Sequence, residues 1–393
     1  MKRYYIVLTP FFPSEQNFVG SYIYDQVKAI QKLSNLEVVV ITSSSKDKTK
    51  AYTYEGILVY PIKLADLPSF VLPGLFNAIN YKKIINQLIA ITGNKLDHIQ
   101  VIHGHVTYPF GVLASKIAKQ VGATSVVQHH GFDVMGYTNG RLFGPGLREL
   151  NKKWINKFHV PLLNGADWNV GVSQRTLDEL HQIKGYQPTK EYVLYNGVDK
   201  EKFYPIIGLK EKNQFKIGCV GNFWPLKDQI TLIKAAQLLV EDGVTDFKVV
   251  FIGSGATLSS CKAYVQAHQL SAFFEFKNEV KHTELVHFFN SLNLFVMPSY
   301  WEAFGCVYLE AHACGVPFIG VKDQGIAELV KITFQTKQLI NKEAVTELYE
   351  LLKFYKANPD FRAPLNVDYD INDLVKNFLD KIQVGINSEY VNS

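Results

Sequence analysis

Short apolar runs rich in β-branched residues alternate with amphipathic segments along the first half of the chain. The runs at 4–8, 37–41 and 125–127 have the length of buried strands. Between such runs, apolar residues recur at helical spacing, for example at 20–33 and 81–91. This alternation predicts parallel strands joined by right-handed helical crossovers.

The same alternation restarts after a polar link at 205–213. We therefore predict a first domain of residues 1–205, a second domain of residues 206–370, and a C-terminal helical segment, 371–393, that packs back onto the first domain. Strands of the second domain are predicted at 215–220, 247–252, 273–276, 294–297 and 317–319. The expected fold class is α/β, with two doubly wound parallel sheets facing each other across a cleft. In such sheets, ligands bind just beyond the carboxyl ends of the strands.

Composition narrows the possible classes of function. The chain has 393 residues, of which 47% are hydrophobic and 20% charged, so it is expected to be globular. Its 41 Lys and Arg against 36 Asp and Glu give a net charge of +5, spread along the chain and not gathered in a basic block. This charge does not indicate a nucleic-acid partner. It is compatible with small anionic substrates or a weak attraction to an acidic membrane surface.

Cysteine usage and hydropathy indicate the compartment. The four cysteines form no CxxC pair and are expected to be buried thiols in a reducing environment. The first apolar run is too short for a signal peptide. No window reaches the roughly 18 apolar residues needed to cross a bilayer. We expect a cytoplasmic protein that associates at most peripherally with the inner face of the membrane.

Two glutamates, Glu302 and Glu310, straddle the predicted start of a helix in the second domain. Glu310 lies a little over two turns into that helix, since a turn holds about 3.6 residues, whereas Glu302 stays on the entry loop. The backbone amides around Phe304, Gly305 and Cys306 point out of the helix N-terminus, where a phosphate is favoured. Taken alone, such a pair is better explained by a helix cap, Glu302, and an exposed helical carboxylate, Glu310.

The segments around this pair, 297–305 (MPSYWEAFG) and 309–317 (LEAHACGVP), resemble the second-domain signature of the retaining glycosyltransferases of group 1, family 4. That family has the GT-B fold of two Rossmann-like domains. The resemblance covers about 4–378 and is densest at 220–328. It implies that Glu302 contacts the donor-sugar hydroxyls and that Glu310 accepts hydrogen bonds from the ribose of a nucleotide sugar. A carboxylate suits both roles, because it can accept several hydrogen bonds.

The segment 220–228 (VGNFWPLKD) resembles the family's strand-end loop, in which two basic residues clamp the diphosphate. Lys227 fits the second basic position. Asn222 stands where the family usually has arginine. A lysine ammonium stabilises a leaving diphosphate, which gains charge as the glycosidic bond breaks.

In the first domain, Gly20 ends a loop that resembles the family's glycine-rich donor loop, although two glycines are usual there. The segment 126–133 (VVQHHGFD) resembles the family's strand-end His-Gly-x-Asp. That match places His130 near the donor sugar and the reacting oxygens, and Asp133 on the acceptor side. His129, one residue earlier, is the alternative to His130.

His103 and His105 are spaced as metal ligands can be, but no further ligand follows at a diagnostic interval. We assign them to a strand-end turn, with His105 lining the acceptor side. The nucleotide base is expected against Gly253, Asn278 and Val280, in two strand-end loops of the second domain. The third glycine of a dinucleotide fingerprint is missing after Gly253, which argues against a nicotinamide enzyme.

The hypothesis is a retaining hexosyl transfer to an acceptor hydroxyl, in cell-surface polysaccharide or glycolipid biosynthesis, without a metal or other cofactor. Since no motif carboxylate is an evident nucleophile, the resemblance implies front-face attack, with the leaving phosphate taking the acceptor proton. Two alternatives remain. One is a sugar-nucleotide epimerase or phosphorylase of the same architecture, and the other is a non-catalytic sugar-nucleotide-binding protein.

The acceptor is either a sugar or a lipid-linked sugar. Lys28, Lys32, Lys82 and Lys83 are predicted to form one basic face of the first domain, near Leu75 and Phe76. Such a face suits an anionic membrane surface. Solvated helix faces are the simpler explanation of the same lysines.

Overall fold

The computed structural model describes residues 2–15, 19–44, 50–67, 71–139, 145–211, 213–331 and 336–387. The chain forms two compact units. The first comprises Met1–Asn196 with Ile371–Ser393, and the second comprises Gly197–Asp370.

The first unit is built on a sheet that has eight strands in the described ranges, with the order β3-β4-β2-β1-β5-β6-β7-β8. Among these described strands, only β3 is antiparallel to its neighbour. All six side chains of β1 are buried, as expected for a central strand of a parallel sheet covered on both faces. The strands are β1 (Tyr4–Thr9), β2 (Glu37–Ser43), β3 (Tyr52–Tyr54), β4 (Ile57–Ile62), β5 (Ile99–His105), β6 (Thr124–His129), β7 (Trp168–Gly171) and β8 (Glu191–Val193).

Helices connect these strands and cover both faces of the sheet. They are α1 (Ser21–Leu33), α2 (Asn77–Thr92), α3 (Val112–Val121), α4 (Phe132–Asn139), α5 (Pro145–Phe158), α6 (Val160–Asn164) and α7 (Gln174–Leu180). The hydroxyl of Ser173 caps α7 by accepting a hydrogen bond from the backbone N–H of Thr176, at 3.2 Å.

Helices α1 and α2 lie on opposite faces of this sheet. Residues of α1 pack with Val38 and Val40 of β2, whereas Ile84 and Leu88 of α2 pack with Val39, which points to the other face. The prediction that Lys28 and Lys32 of α1 share one basic face with Lys82 and Lys83 of α2 is therefore wrong. Sequence spacing showed that each helix carries lysines, but it did not show which side of the sheet each helix covers.

The second unit has a sheet of six parallel strands within the described ranges, in the order β11-β10-β9-β12-β13-β14. The five predicted strands of this unit occur within two residues of their expected bounds, and β14 was not predicted. The strands are β9 (Phe215–Val220), β10 (Phe247–Ile252), β11 (Phe274–Lys277), β12 (Leu294–Val296), β13 (Phe318–Val321) and β14 (Leu339–Ile340). The helices are α8 (Gln229–Glu241), α9 (Leu258–Ala267), α10 (Leu285–Asn290), α11 (Cys306–Ala313) and α12 (Val345–Ala357).

Strand order reverses in both units, between β1 and β5 in the first and between β9 and β12 in the second. Loops that leave adjacent strands in opposite directions open a crevice at such a point. The loops after β9 and β12 carry Lys227 and Glu302, respectively, and the loop after β1 carries Gly20.

The last helix, α13 (Ile371–Lys381), belongs to the first unit. Its buried face of Ile371, Val375, Phe378 and Leu379 joins the core that α1 and β1 form. Residues 388–393 of the predicted C-terminal segment lie outside the described residues.

The link between the units lies before the predicted boundary at 205. Residues 197–205 belong to the second unit because they pack there. The ring of Phe203 lies 5.1 Å from that of His282, and the side-chain amide of Asn290 donates to the Tyr204 carbonyl at 2.9 Å. The composition of the link did not reveal these contacts.

Candidate active site

Lys227 and Glu302 form an ion pair at the carboxyl edge of the second sheet. Lys227 ends a 3-10 turn after β9, and its Nζ donates to Glu302 Oε2. The lysine side chain is 25% exposed and the glutamate 14%, so the pair is partly shielded from water but open to a ligand. The backbone N–H of Trp301 donates to the Leu226 carbonyl at 3.3 Å, which ties the two loops together.

The loop after β13 fixes the position of Glu302. The side-chain oxygen of Gln324, a residue only 2% exposed, accepts a hydrogen bond from the Glu302 backbone N–H at 2.6 Å. Beside it, a Cβ on Gly325 would lie 2.0 Å from the Ala303 carbonyl oxygen, so only glycine permits this approach. The role of Gln324 was not predicted, since nothing in the local sequence pattern distinguishes it from a surface glutamine.

Helix α11 begins directly after Gly305, which has a φ of +84° in the left-handed region. A Cβ here would lie 2.6 Å from the ring of Tyr308 and 3.1 Å from Cγ of Glu302. The side chain of Phe304 is 1% exposed, so this residue can meet a ligand only through its backbone. Cys306, the first helical residue, is half-buried. The start of the helix therefore presents backbone to the region beside the ion pair.

Glu310 is held differently. Its Oε1 lies 3.0 Å from Nε2 of His282, and the residue is only 7% exposed. Its Oε2 is buried and has no hydrogen-bond partner among the described residues. A buried carboxylate oxygen without a partner is suited to accept a hydrogen bond from a hydroxyl group of a ligand. His282 was not predicted, because its pairing with Glu310 depends on a contact between distant parts of the chain.

Two loops of the second unit were predicted to contact the nucleotide base. Both loops pack against other strand-end loops. A Cβ on Gly253 would lie 2.2 Å from the Gly221 carbonyl oxygen, which explains this glycine by backbone packing. Ser254 Oγ donates to a carboxylate oxygen of Glu279 and so links the two loops. Asn278 is exposed and Val280 half-buried, so both side chains are accessible.

The predicted diphosphate loop keeps Asn222 on the surface. The side chain of Asn222 is exposed. The backbone carbonyl oxygen of Asn222 accepts a hydrogen bond from the side-chain amide of Gln229 at 3.0 Å. Lys227 is therefore the one cation of this loop that pairs with a motif carboxylate in the described structure.

In the first unit, a row of aromatic side chains begins at the end of β5. The hydroxyl of Tyr5 is 2.8 Å from Nδ1 of His103, and the rings of His103 and His105 stack with centroids 4.3 Å apart. His105 Nδ1 lies 3.1 Å from His130 Nε2. The ring of Tyr22, from α1, is 5.1 Å from that of His130.

Within this row, His130 is half-buried, whereas His105 is completely buried. The prediction that His105 lines the acceptor side is therefore wrong: the ring lies behind His130 and holds it. His130 Nδ1 has no hydrogen-bond partner in the described part of the chain. This arrangement leaves that nitrogen for a ligand.

Asp133 uses both carboxylate oxygens inside the first unit. Oδ2 accepts from the backbone N–H and the hydroxyl of Thr107, at 2.6 and 2.8 Å, and Oδ1 accepts from the His130 backbone N–H at 3.0 Å. His129, the alternative to His130, is completely buried between Thr107 and Asn169. These contacts give Asp133 and His129 roles in shaping the loop that presents His130.

Burial controls the protonation of these histidines. It lowers the pKa of His103 to about 3, with the neighbouring His130 acting in the same direction. It also lowers the pKa of His130 to about 4, although Asp133 opposes the shift, and it lowers the pKa of His105 well below the usual value of 6.5. All three rings are therefore neutral near pH 7.

Gly20 caps α1 with a φ of +92°. A Cβ at this position would lie 2.9 Å from the ring of Phe11. Residues 16–18 of the predicted donor loop lie outside the described residues.

A cavity of about 600 Å³ opens at the carboxyl ends of β1 and β2. Its walls combine aromatic rings with hydroxyl groups, among them Phe11, Phe12, Thr42 and Tyr52. The Thr42 hydroxyl is buried and has no hydrogen-bond partner among the residues described. This orphaned hydroxyl and the aromatic walls suit a sugar ring.

Neither a metal-binding cluster nor a membrane-spanning helix occurs in the described ranges. No group of three or more His, Cys, Asp and Glu side chains there is placed to hold a metal ion. No helix in those ranges is both long and apolar enough to cross a membrane.

Two family models match the chain, one described as glycosyl transferases group 1 over residues 200–366, and one as Glycosyltransferase Family 4 over residues 19–202. A GDP-mannose-dependent monoacylated α-(1-6)-phosphatidylinositol monomannoside mannosyltransferase of Corynebacterium glutamicum is 26% identical over 378 residues, covering 92% of this chain and 90% of the relative. The UDP-Gal:α-D-GlcNAc-diphosphoundecaprenol α-1,3-galactosyltransferase of Escherichia coli is 26% identical, covering 81% and 80%.

Solved structures agree in fold. HepE of Anabaena, solved in complex with UDP and glucose, superposes with a TM-score of 0.68 at 14% identity, covering 96% of this chain and 99% of HepE. Sucrose-phosphate synthase of Thermosynechococcus elongatus gives a TM-score of 0.67 at 16% identity, with 97% and 96% coverage. Two parallel-sheet units of this kind are the GT-B fold. The chain therefore belongs to the group 1 glycosyltransferases of family 4 and is a glycosyltransferase enzyme.

Proposed function

We propose that this enzyme transfers a hexosyl group from a nucleoside diphosphate sugar to an acceptor hydroxyl with retention of anomeric configuration, and that it needs no metal. The observation that carries the proposal is the Lys227–Glu302 pair beside Gly305 at the start of α11. The ammonium group of Lys227 and the backbone at the start of α11 suit the two phosphates. The carboxylate of Glu302 suits the hydroxyls of the sugar.

Donor binding follows from this arrangement. The diphosphate competes with Glu302 for the ammonium group of Lys227, because it carries more negative charge than one carboxylate. Once Lys227 turns to the phosphates, Glu302 is released to accept hydrogen bonds from the sugar hydroxyls. The backbone at 304–306 adds donors at the positive end of the helix.

The nucleoside is assigned to the neighbouring groups of the second unit. The unpartnered oxygen of Glu310 accepts a hydrogen bond from a ribose hydroxyl, while His282 holds the other oxygen. Gly253, Asn278 and Val280 are assigned to the base. The two curated relatives act with GDP-mannose and with UDP-galactose, which supports a nucleotide sugar as the donor class.

The transfer step breaks the bond between the anomeric carbon and the phosphate oxygen, and it forms the bond to the acceptor oxygen on the same face. The acceptor proton passes to the leaving phosphate oxygen. Asp133 has both oxygens engaged, and Glu302 is assigned to the sugar hydroxyls, so we assign neither of them as a nucleophile on the sugar. We assign His130, neutral and with Nδ1 available, to a hydroxyl of the sugar being transferred.

The acceptor is assigned to the first unit. The cavity with Thr42 and its aromatic walls is proposed to hold a sugar portion of the acceptor. Both curated relatives named above act on lipid-linked acceptors, a class that we extend to this enzyme. We accordingly propose a cytoplasmic enzyme with peripheral membrane contact that works in polysaccharide or glycolipid biosynthesis.

The donor assignment is tested by thermal shift with UDP, GDP, ADP and dTDP, followed by transfer assays with the matching sugar. The nucleotide that binds raises the melting temperature, since it binds only the folded protein. Lys227→Ala is expected to abolish that shift, and Glu302→Gln to keep the nucleotide shift but lose transfer. NMR of the product assigns the anomer.

Lys353→Ala is the matched control, because Lys353 also pairs with a carboxylate, Asp242 at 3.1 Å, on the surface of the second unit. It should leave both readouts unchanged. Full transfer by Glu302→Gln, or an unchanged nucleotide shift in Lys227→Ala, would contradict the proposed donor site.

A further inference from the structure

Helices α5 and α2 expose large apolar side chains close to each other. On α5, Leu147, Leu150 and Phe158 are 41%, 49% and 43% exposed. At the start of α2, Leu75 and Ile79 are 44% and 48% exposed. These five residues are called the α5 surface below. Contiguous exposed side chains of this size commonly mark an interaction site.

The arrangement of α5 places its apolar residues on one stripe. Leu147, Leu150, Trp154 and Phe158 follow each other at spacings of three or four residues, which puts them on one side of a helix. The adjacent side of α5 faces the core, where Ile155 is buried. The stripe therefore borders the core-facing side but is left open along much of its length.

Contacts within the first unit join α2 to this stripe. The indole Nε1 of Trp154 donates to the Pro73 carbonyl at 2.9 Å, and Asn151 Oδ1 accepts from the Leu72 backbone N–H at 2.8 Å. These bonds hold the segment that leads into α2 against α5. Leu75 and Ile79, a few residues further on, therefore extend the apolar stripe.

Positive charge surrounds the α5 surface. Lys152, Lys153 and Lys157 of α5 are exposed, as is Lys82 of α2. Lys157 Nζ lies 5.2 Å from the centre of the Phe158 ring, at the edge of the stripe. The exposed acidic residue of this part of α5, Glu149, pairs with Lys152 at 3.3 Å. The rim therefore keeps a cationic excess.

We propose that the α5 surface docks on an anionic phospholipid bilayer. Apolar side chains with an adjacent tryptophan enter the boundary between headgroups and acyl chains, while the lysine stems reach back to the phosphates. The complementary charge of an anionic leaflet adds attraction for each lysine at the rim. This inference gives a location to the membrane contact proposed above, and it is tested without donor or acceptor.

The experiment is sedimentation of the full-length protein with vesicles of phosphatidylcholine alone and with about 30% phosphatidylglycerol at about 0.1 M salt. The wild type is expected to sediment with the anionic vesicles only. The double variant Leu147→Ser with Leu150→Ser should lower the partition coefficient by about tenfold or more. Lys153→Glu with Lys157→Glu should lower it by about tenfold as well. Circular dichroism and melting temperature establish that the variants are folded.

Two controls separate the α5 surface from general stickiness and net charge. Ile207→Ser removes an apolar side chain that is 99% exposed on the second unit. Lys32→Glu reverses an exposed lysine of α1, on the opposite face of the sheet. Both should sediment like the wild type.

The proposal is overturned if the wild type binds neither vesicle, or if the α5 variants bind as well as the wild type. An equal loss in Lys32→Glu would also overturn it, because net charge would then explain binding. A concentration-dependent dimer that the leucine substitutions dissociate, without vesicle binding, would assign the surface to a second copy of the chain instead. Since no step needs turnover, loss of the proposed transferase specificity would leave this result standing.

Discussion

Glu310 shows how a single side chain can be prepared for a ligand. One oxygen is held by His282, and the other is buried without a protein partner in the described structure. Leaving a buried acceptor unpaired costs about 1–3 kcal/mol. A ribose hydroxyl that donates to this oxygen on binding removes that unfavourable free energy. The affinity of the site for the ribose increases accordingly.

We predict that Glu310→Ala raises the dissociation constant of the preferred nucleoside diphosphate by about tenfold or more. The wild type should prefer this ligand over its 2′,3′-dideoxy analogue, whereas the variant should bind both equally. Calorimetric titration of the two ligands against both proteins measures this. A variant that still discriminates between the ligands would show that Glu310 does not contact the ribose.

His105 acts on His130 and not on a ligand, since it is completely buried behind it. We predict that His105→Phe keeps the stacked ring but lowers kcat by about tenfold or more, because His130 loses the partner that fixes its tautomer. Affinity for the nucleoside diphosphate alone should stay unchanged, which separates positioning of His130 from binding of the nucleotide. His181→Phe, at an exposed histidine paired with Glu191, is the control. Equal kcat values for His105→Phe and the wild type would exclude this role.

Burial of neutral histidines makes stability depend on pH. Burial lowers the pKa of His159 to about 4, and those of His103 and His130 are also lowered from 6.5. Each of these residues binds a proton in the unfolded chain at a higher pH than in the folded chain. Their contribution to the free energy of unfolding is therefore full above pH 6.5 and is lost as the pH falls toward about 4.

We predict that the free energy of unfolding of the first unit falls between pH 6.5 and 4.5, by up to about 1.4 kcal/mol per pH unit for each such histidine. His159→Gln, which keeps a donor for the Pro73 carbonyl but cannot titrate, should reduce that slope by one histidine. Urea titrations at pH 7, 6 and 5 provide the comparison. Identical slopes would mean that His159 does not carry this dependence.

Local sequence was sufficient for some residues and not for others. The cap of α7 is of the first kind, because the Ser173 hydroxyl and the Thr176 backbone N–H that it bonds are only three positions apart. Gln324, which holds the backbone of Glu302, was missed because its role depends on a loop 22 residues away. His105 was misplaced because burial depends on the packing of neighbouring strands, which a short motif does not contain.

At the scale of elements, the start of α11 combines a left-handed backbone conformation with close packing. Gly305 and Gly243 have similar left-handed φ values, +84° and +80°. A Cβ would meet the Tyr308 ring at Gly305, but it would meet nothing within 4 Å at Gly243. Comparing an alanine substitution at each position therefore separates the free-energy cost of the left-handed backbone from the cost of the Cβ contacts.

We predict that Gly243→Ala destabilises the second unit by about 1 kcal/mol, which is the left-handed backbone cost alone. Gly305→Ala should cost about 1–3 kcal/mol more and should also weaken nucleoside diphosphate binding, because Tyr308 and Glu302 must shift. Urea unfolding and calorimetric titration of both variants measure the difference. Equal destabilisation, with equal binding, would contradict a packed ligand site at Gly305.

The spacing and composition of the apolar residues located most strands, because a buried parallel strand is a short continuous apolar run. The β3–β4 hairpin was not predicted, since its first strand, Tyr52–Tyr54, alternates partly exposed residues over only three positions. The two sheet faces were also confused for α1 and α2. A helical pattern shows that a face is buried, but it does not show on which side of the sheet the helix lies.

At the scale of the molecule, the first unit is made from both ends of the chain. Phe378 of α13 is completely buried, with its ring 5.9 Å from His103 and 5.8 Å from Tyr192. The second unit has its own core, which includes the buried Leu352 of α12. Each core can therefore be perturbed separately.

We predict that Phe378→Ala destabilises the first unit by about 3–5 kcal/mol, although the residue follows the second unit in sequence. Leu352→Ala should instead destabilise the second unit by about 2–5 kcal/mol. Hydrogen exchange resolved by peptide shows which strands lose protection in each variant. Faster exchange in β9 and β10 after Phe378→Ala, with β1 and β5 unaffected, would contradict this division.

Residues of α13 that complete the core of the first unit leave the ribosome only after the whole second unit has been synthesised. Until then, the apolar surface of α1 and β1 that α13 covers stays open to solvent. The second unit contains no segment from outside Gly197–Asp370, so it can fold as soon as its own residues emerge. Although its sheet comes first in the sequence, the first unit is therefore completed after the second unit during translation.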